Sequence, residues 1–208
     1  IRDRDVTGVQ TCALPIFGFG WDPLLMAYDS LSPKGEQSFV NAEKAIAIWH
    51  DHFPSWQILQ TRKPEPPRSP AIADGVIVEN GIIRGIIEIK SRSFDLYALQ
   101  NKFKNEVIIT HDKLIKCQQI AQALDVPFIL FIYLVPDEVL VWKPIWRPES
   151  EEHWNTEITI KYTETKKSVN GGTVMRHNAF VNMTSASIWR RKYGPEQTNI
   201  GTVSDSSS

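Results

Sequence analysis

The run Phe128-Ile-Leu-Phe-Ile-Tyr-Leu-Val135 is almost wholly apolar and is closed at both ends by proline, Pro127 and Pro136. A strand without a polar side has to be covered on both faces, so a chain that carries one folds in layers with a sheet in the middle. The flanking sequence supplies the covers. From Glu36 to Phe53 the apolar residues Phe39, Ala42, Ile46, Trp49 and Phe53 recur at three- and four-residue steps, as a helix with one buried face requires, and Pro54 ends it. A second helix is predicted from about His111 to Leu124, with Thr110 as its cap and Leu114, Cys117, Ile120, Ala121 and Leu124 on one side.

Strands are predicted at Ile72–Val78 and Ile82–Ser91, joined through Glu79-Asn80-Gly81, and at Glu106–Thr110. A short amphipathic piece, Phe94–Phe103, lies between the last two, and Val139–Trp142 is expected to pair back against the apolar run. The order helix, strand, strand, strand, helix, strand is that of an α/β (α+β) protein with a mixed sheet. Beyond Pro148, Glu157–Glu164 and Thr173–Met183 read as strands around the turn Asn170-Gly171-Gly172, an antiparallel extension of the same domain. Arg62–Pro70 holds Pro64, Pro66, Pro67 and Pro70 and reads as an extended connection.

Composition narrows the function classes. The 208 residues hold 23 Lys+Arg against 24 Asp+Glu, a formal charge of −1, with 42% hydrophobic residues. That excludes full-length disorder and argues against a protein held on DNA by its overall field. Cys12 and Cys117 stand alone, with no zinc spacing and no disulfide framework. No run spans a bilayer and no leader is expected, so the chain is read as cytoplasmic, without a membrane partner. Val6–Ile16 (VTGVQTCALPI) resembles one reading frame of a sequencing-library adapter. That resemblance implies that residues 1–16 are not natural protein and that the natural start is missing. The chain then divides into that stretch, a core over 17–148, a β extension over 149–200 and a polar tail, 201–208, expected to be disordered.

The chemistry lies in Asp74…Glu88-Ile89-Lys90, three charges in segments otherwise made mostly of Val, Ile and Gly. Burying an unpaired charge there would cost several kcal/mol. Turn geometry decides whether they act together. A two-residue turn at Asn80-Gly81 pairs Asp74 with Ile87 and sends its side chain away from Glu88 and Lys90. A three-residue loop Glu79-Asn80-Gly81, with Gly81 in a bulge, pairs Asp74 with Ile86 and Val78 with Ile82. Asp74, Glu88 and Lys90 then share a face, the opposite face is Ile77, Ile83, Ile87 and Ile89, and Gly75 falls opposite Gly85. Two converging carboxylates call for a cation. Hard oxygen ligands, with the Ile89 carbonyl as a neutral one, suit Mg2+ or Mn2+, and Lys90 is placed to orient a water beside it. The competing reading is a salt bridge on an exposed sheet face.

Asp74…Glu88-Ile-Lys90, on a hairpin after one helix and before strand, helix and strand, resembles the PD-(D/E)XK nuclease superfamily. The likeness covers about Glu36–Val135, although Ala73 stands where the motif has proline. It implies a restriction-endonuclease-like core and an Mg2+-dependent nuclease acting on DNA in bacterial or phage DNA processing, repair or restriction. Asp74 and Glu88 would be metal ligands and Lys90 the catalytic lysine. It also implies a glutamate from the first helix, with Glu43 the first choice and Glu36 the reserve, and a polar residue of the second helix, Lys113 or Gln118, near the site. A non-catalytic nucleic-acid-binding module on the same scaffold is the alternative, and assembly into a homo-oligomer is left open.

Arg84 and Arg92 are candidate phosphate contacts, each against a plainer role as ion pair or solvated strand end. Arg190 and Arg191, within Trp189–Tyr193, combine basic and aromatic character as backbone-tracking surfaces do. His50 and His52 are read as helix-end polarity, His111 as a neighbour of the site at most, and Cys117 as core.

Overall fold

The computed structural model describes residues 33–61, 72–150, 153–166 and 173–192. The adapter-like stretch, residues 17–32, the proline-rich connection, the turn at 170–172, Tyr193 and the tail lie outside the described residues. The elements are α1 (Pro33–His52), β1 (Trp56–Gln60), β2 (Gly75–Glu79), β3 (Ile82–Arg92), α2 (Leu96–Asn101), β4 (Glu106–Thr110), α3 (His111–Ala123), β5 (Phe128–Leu134), β6 (Val139–Trp146), a 3-10 turn at Pro148–Ser150, β7 (Ile158–Lys166), β8 (Thr173–Asn182) and β9 (Ser187–Trp189).

The apolar run is β5, and all seven of its residues are buried. It lies parallel to β3, with Ile86 opposite Phe128, and antiparallel to β6. Its alternate side chains divide the interior into two layers. Phe128, Leu130, Ile132 and Leu134 pack with Leu114, Cys117 and Ala121 of α3. Ile129, Phe131 and Tyr133 pack with Ala45, Ile48 and Trp49 of α1. Burial of each such large side chain is worth about 1.5–3 kcal/mol, and the paired layers fix the helices on opposite faces of one mixed sheet. The fold is mixed α/β, with sheet order β1-β2-β3-β5-β6-β9.

The third strand of this core is not the one the sequence points to. β1 pairs with β2, Trp56 opposite Glu79 and Gln60 opposite Gly75, and forms the sheet edge. Ile58 is its one buried residue, so its pattern carries no alternation to read. Glu106–Thr110 is a strand as predicted, but it leaves the main sheet and pairs with β8 in a second sheet, β4-β8-β7. Its alternation, with Val107 and Ile109 buried and Ile108 exposed, is that of a strand with one covered face. Ala179, Val181 and Met183 join these residues in the α3-side layer, so both sheets share a core. β9 returns to the main sheet beside β6 and brings Trp189 against Trp49, Phe53 and Trp142. No helix among the described residues is long and apolar enough to cross a membrane.

Candidate functional site

The β2–β3 hairpin makes the site. Asn80 and Gly81 both have positive φ, 52° and 77°, and Glu79 pairs with Ile82, so the connection is a two-residue turn of the kind Asn-Gly favours. The three-residue loop expected at Glu79-Asn80-Gly81 is not formed. An irregularity farther along the strands restores what that loop was meant to achieve. Val78 pairs with Ile83 and Ile77 with Gly85, leaving Arg84 as the extra residue of a bulge. Beyond it the register brings Gly75 opposite Ile87, so Gly75 and Gly85 are not partners, and Ile83 is exposed rather than part of the α1-facing layer. Asp74 lies one residue before the paired register, its N–H donating to the Ile87 carbonyl at 3.1 Å.

Asp74 precedes β2 and replaces a strand with its side chain. Its Oδ2 accepts the Ile89 N–H at 2.9 Å, while Thr61 N–H donates to its carbonyl at 3.0 Å. Glu88 is fully buried. Lys90 Nζ lies 2.5 Å from Glu88 Oε1 and 3.8 Å from Asp74 Oδ2. Lys113 Nζ, from the first turn of α3, lies 3.1 Å from Glu88 Oε2 and 3.3 Å from Asp74 Oδ1. Two carboxylates and two ammonium groups thus form a neutral quartet at the edge of the core, which is how buried charge is tolerated.

The two acids differ in environment. Burial pushes the Asp74 carboxyl up, but Lys90, Lys113 and the Ile89 N–H outweigh it and hold the group below its ordinary value. For Glu88 burial dominates over Lys90 and Lys113, Asp74 adds to it, and the carboxyl is raised. Burial opposes the charge on Lys113, yet Glu88 and Asp74 hold its ammonium above its ordinary value. Cys117, with Sγ 4.0 Å from Glu88 Oε2 and 3.3 Å from the Ile72 carbonyl, is pushed up to about 12 by burial and by Glu88, so it stays a neutral thiol.

Placement of the other candidates is mixed. Glu43 is exposed and lines a separate shallow groove with Ile46, His50 and Ile58. The buried face of α1 runs through Asn41, Ala45, Ile48 and Trp49, which turns Glu43 aside, and Glu36 is exposed as well. Neither is brought to the carboxylate pair. The α1 residues that border Asp74 are Ser38, Phe39 and Ala42, around a cavity of about 110 Å3 that also reaches Ile89 and Lys90. Among the described residues no group of three or more His, Cys, Asp or Glu side chains is arranged to hold a metal ion. Asp74 borders that cavity and Glu88 lies buried behind it, and their carboxylate oxygens, held here by Lys90, Lys113 and the Ile89 N–H, are hard donors of the kind a small divalent cation takes.

Arg84 pairs with Glu79 at 3.0 Å across the hairpin turn. Arg92 donates to the carbonyls of Ile108, at 2.6 Å, and Ser91, at 3.0 Å. Gln118 is buried beside Cys117 on α3. Arg191 pairs with Asp51 at 2.7 Å, and the Arg190 carbonyl lies 3.2 Å from His52 Nε2. His52 in turn stacks on Trp189 at 4.2 Å between ring centroids, a packing role that its place at a helix end does not announce. Lys113 bears on the site more directly than the sequence suggests. The signal was its spacing: four residues before Cys117 and eight before Ala121, it extends the buried stripe of α3 with a charge.

No family model matches the sequence, and no curated protein matches it. Among solved structures, the chain is similar to Hjc, a Holliday junction resolvase from the archaeal hyperthermophile Archaeoglobus fulgidus, at 11% identity and a TM-score of 0.37, over 66% of this chain and 85% of that one.

Proposed function

We propose that the chain is a divalent-metal-dependent nuclease that hydrolyses DNA phosphodiester bonds, in a bacterial or phage setting of DNA processing, repair or restriction. The supporting observation is that Lys90 and Lys113 each bridge the carboxylates of Asp74 and Glu88, which holds the two acids together at the open end of the hairpin. In this reading Asp74, Glu88 and the Ile89 carbonyl oxygen hold Mg2+ or Mn2+. The metal, when bound, supplies charge stabilisation and an acidified water. Lys90 positions that water and carries positive charge toward the nonbridging phosphate oxygens. Lys113 anchors the second oxygen of each acid and so fixes both carboxylate planes.

The test is cleavage of linear, nicked, branched and single-stranded DNA with Mg2+ and with chelator. Metal-dependent cleavage that is lost in Lys90→Ala supports the reading; no cleavage of any substrate, or cleavage indifferent to chelator, ends it. A second reading, binding without cleavage on the same scaffold, is favoured by the outward position of Glu43, which leaves the pair without a third acid from α1. Retained DNA binding with no Mg2+ uptake would select it.

A further inference from the structure

β3 runs on past the strand that pairs with it. Its ladder to β5 uses even-numbered residues: the Ile86 N–H donates to the Pro127 carbonyl, and the Arg92 carbonyl accepts from the Val135 N–H. The N–H and carbonyl of each odd-numbered residue therefore turn to the other edge. On that edge Asp74 takes up the Ile87 carbonyl and the Ile89 N–H, and the pairing with β2 ends. Among the described residues no strand lies beside Ser91, and its N–H has no acceptor. A groove of about 780 Å3 follows this open edge, walled by the end of β3 with the first half of α1 on one side and by the second sheet on the other. Arg92 stands on the β3 wall, on the strand face of Glu88 and Lys90 and about 6.6 Å beyond Lys90. It gives one N–H to the Ser91 carbonyl and one to that of Ile108 and keeps three. Arg176, on β8, stands on the facing wall. The arginines paired with acids among the described residues are Arg84, Arg147 and Arg191, not these two. Glu106 is the one acid in the described lining of the groove.

A recess that offers a main-chain donor and two uncompensated guanidinium groups asks for oxyanions. Cations on opposed walls, in a groove that opens at Lys90 onto the carboxylate pair, suit a chain of phosphates better than one small anion. The volume is that of a site for a drug-sized molecule, which is the size of a few nucleotides of one strand. In a duplex the second backbone runs alongside the first across grooves about 6 and 12 Å wide, so walls on both sides of one backbone exclude its complement. We propose that this groove holds the backbone of an unpaired DNA strand, with the Ser91 N–H and Arg92 on one phosphate and Arg176 on a neighbouring one. The strand then runs along the open edge of β3 into the carboxylate pair, and single-stranded DNA, or a single-stranded segment beside a branch or an end, is the substrate class. The proposal rests on the nuclease reading for the fate of the strand and on the groove alone for its capture.

The experiment measures binding of the full chain, in chelator, to labelled probes of roughly twelve nucleotides. The probes are (dT)12, the same strand with uncharged methylphosphonate linkages, and a blunt duplex of that length. The wild type is expected to bind (dT)12 about tenfold or more tighter than either of the others. Arg92→Gln and Arg176→Gln should each weaken (dT)12 about tenfold and lower the slope of log affinity against log salt by about 0.7. Arg147→Gln removes the same charge outside the groove and should leave the affinity unchanged. Failure of the wild type to bind (dT)12 overturns the proposal, as does equal binding of the methylphosphonate strand, even if the groove variants do not fold. Duplex binding as tight as that of (dT)12 overturns it too, because the backbone would then be held while paired. A loss in Arg147→Gln as large as in the groove variants would assign the binding to overall charge. Binding of (dT)12 that follows the groove arginines, without cleavage in Mg2+, would sink the nuclease reading and leave this one standing.

Discussion

Glu88 has no exposed surface and Asp74 is about a quarter exposed, yet the same two lysines, Lys90 and Lys113, bridge both acids. Asp74→Asn and Lys90→Ala are each expected to lower cleavage by at least about 10²-fold while circular dichroism stays that of the wild type. The acids also differ in sign as pH reporters. The folded-state value of Asp74 is lowered, so its stabilisation is present above the ordinary Asp value and is lost as pH falls through the lowered one. Asp74→Asn should therefore lose less thermal stability than the wild type on acidification from neutral pH. The value of Glu88 is raised, so its ionisation weighs against the fold as pH climbs from the ordinary Glu value through the raised one. In chelator, the melting temperature of Glu88→Gln should gain on that of the wild type over that climb. Parallel behaviour of the two variants would mean that the environments described for these carboxyls are wrong.

At the scale of elements, the hairpin shows how far a sequence can be read. Glu79-Asn80-Gly81 announces a hairpin, though not the two-residue turn that forms, and α1, α3, β4 and β5 follow from spacing and apolar runs. The bulge at Arg84 has no such signature: an exposed arginine between Ile83 and Gly85 looks like any alternating position. Asp74, Glu88 and Lys90 still meet, by a different route: the bulge at Arg84 shifts the register by one residue, and Asp74 stands just before the first pair, Gly75 with Ile87. β1 was illegible because one buried side chain in five residues makes no period. Glu43 was misplaced because a seven-residue helical stripe is wide, and a rotation of one residue moves a side chain from the sheet to water. At Gly75 β1 and β2 meet closely. A Cβ there would lie 2.8 Å from the Leu59 carbonyl oxygen, on the backbone of β1. Gly75→Ala should cost about 1–3 kcal/mol, read from denaturant unfolding, and should loosen the start of β2 that carries Asp74. Gly81→Ala meets nothing within 4 Å and pays only for its positive φ.

For the whole molecule, the neutral quartet sets a balance between folding and metal. A divalent ion that binds the folded chain alone raises its stability, by about 2.7 kcal/mol at a hundred times its dissociation constant. Thermal unfolding with Mg2+ should therefore shift upward in the wild type and not in Asp74→Asn. A shift of equal size in both would place the ion elsewhere. This measurement needs no nucleic acid, so it separates ion binding from catalysis.

The closing strand β9 has a consequence for how the molecule holds its N-terminal helix. Trp189 sits among Trp49, Phe53 and Trp142 and under His52, while Arg191 is tied to Asp51, so the last described residues act as a clasp over the end of α1. A truncation after Ala186 would uncover those rings together with the free side of β6. Such a product should bind hydrophobic dyes and self-associate during gel filtration, even though every residue of the acidic pair and both lysines would still be present.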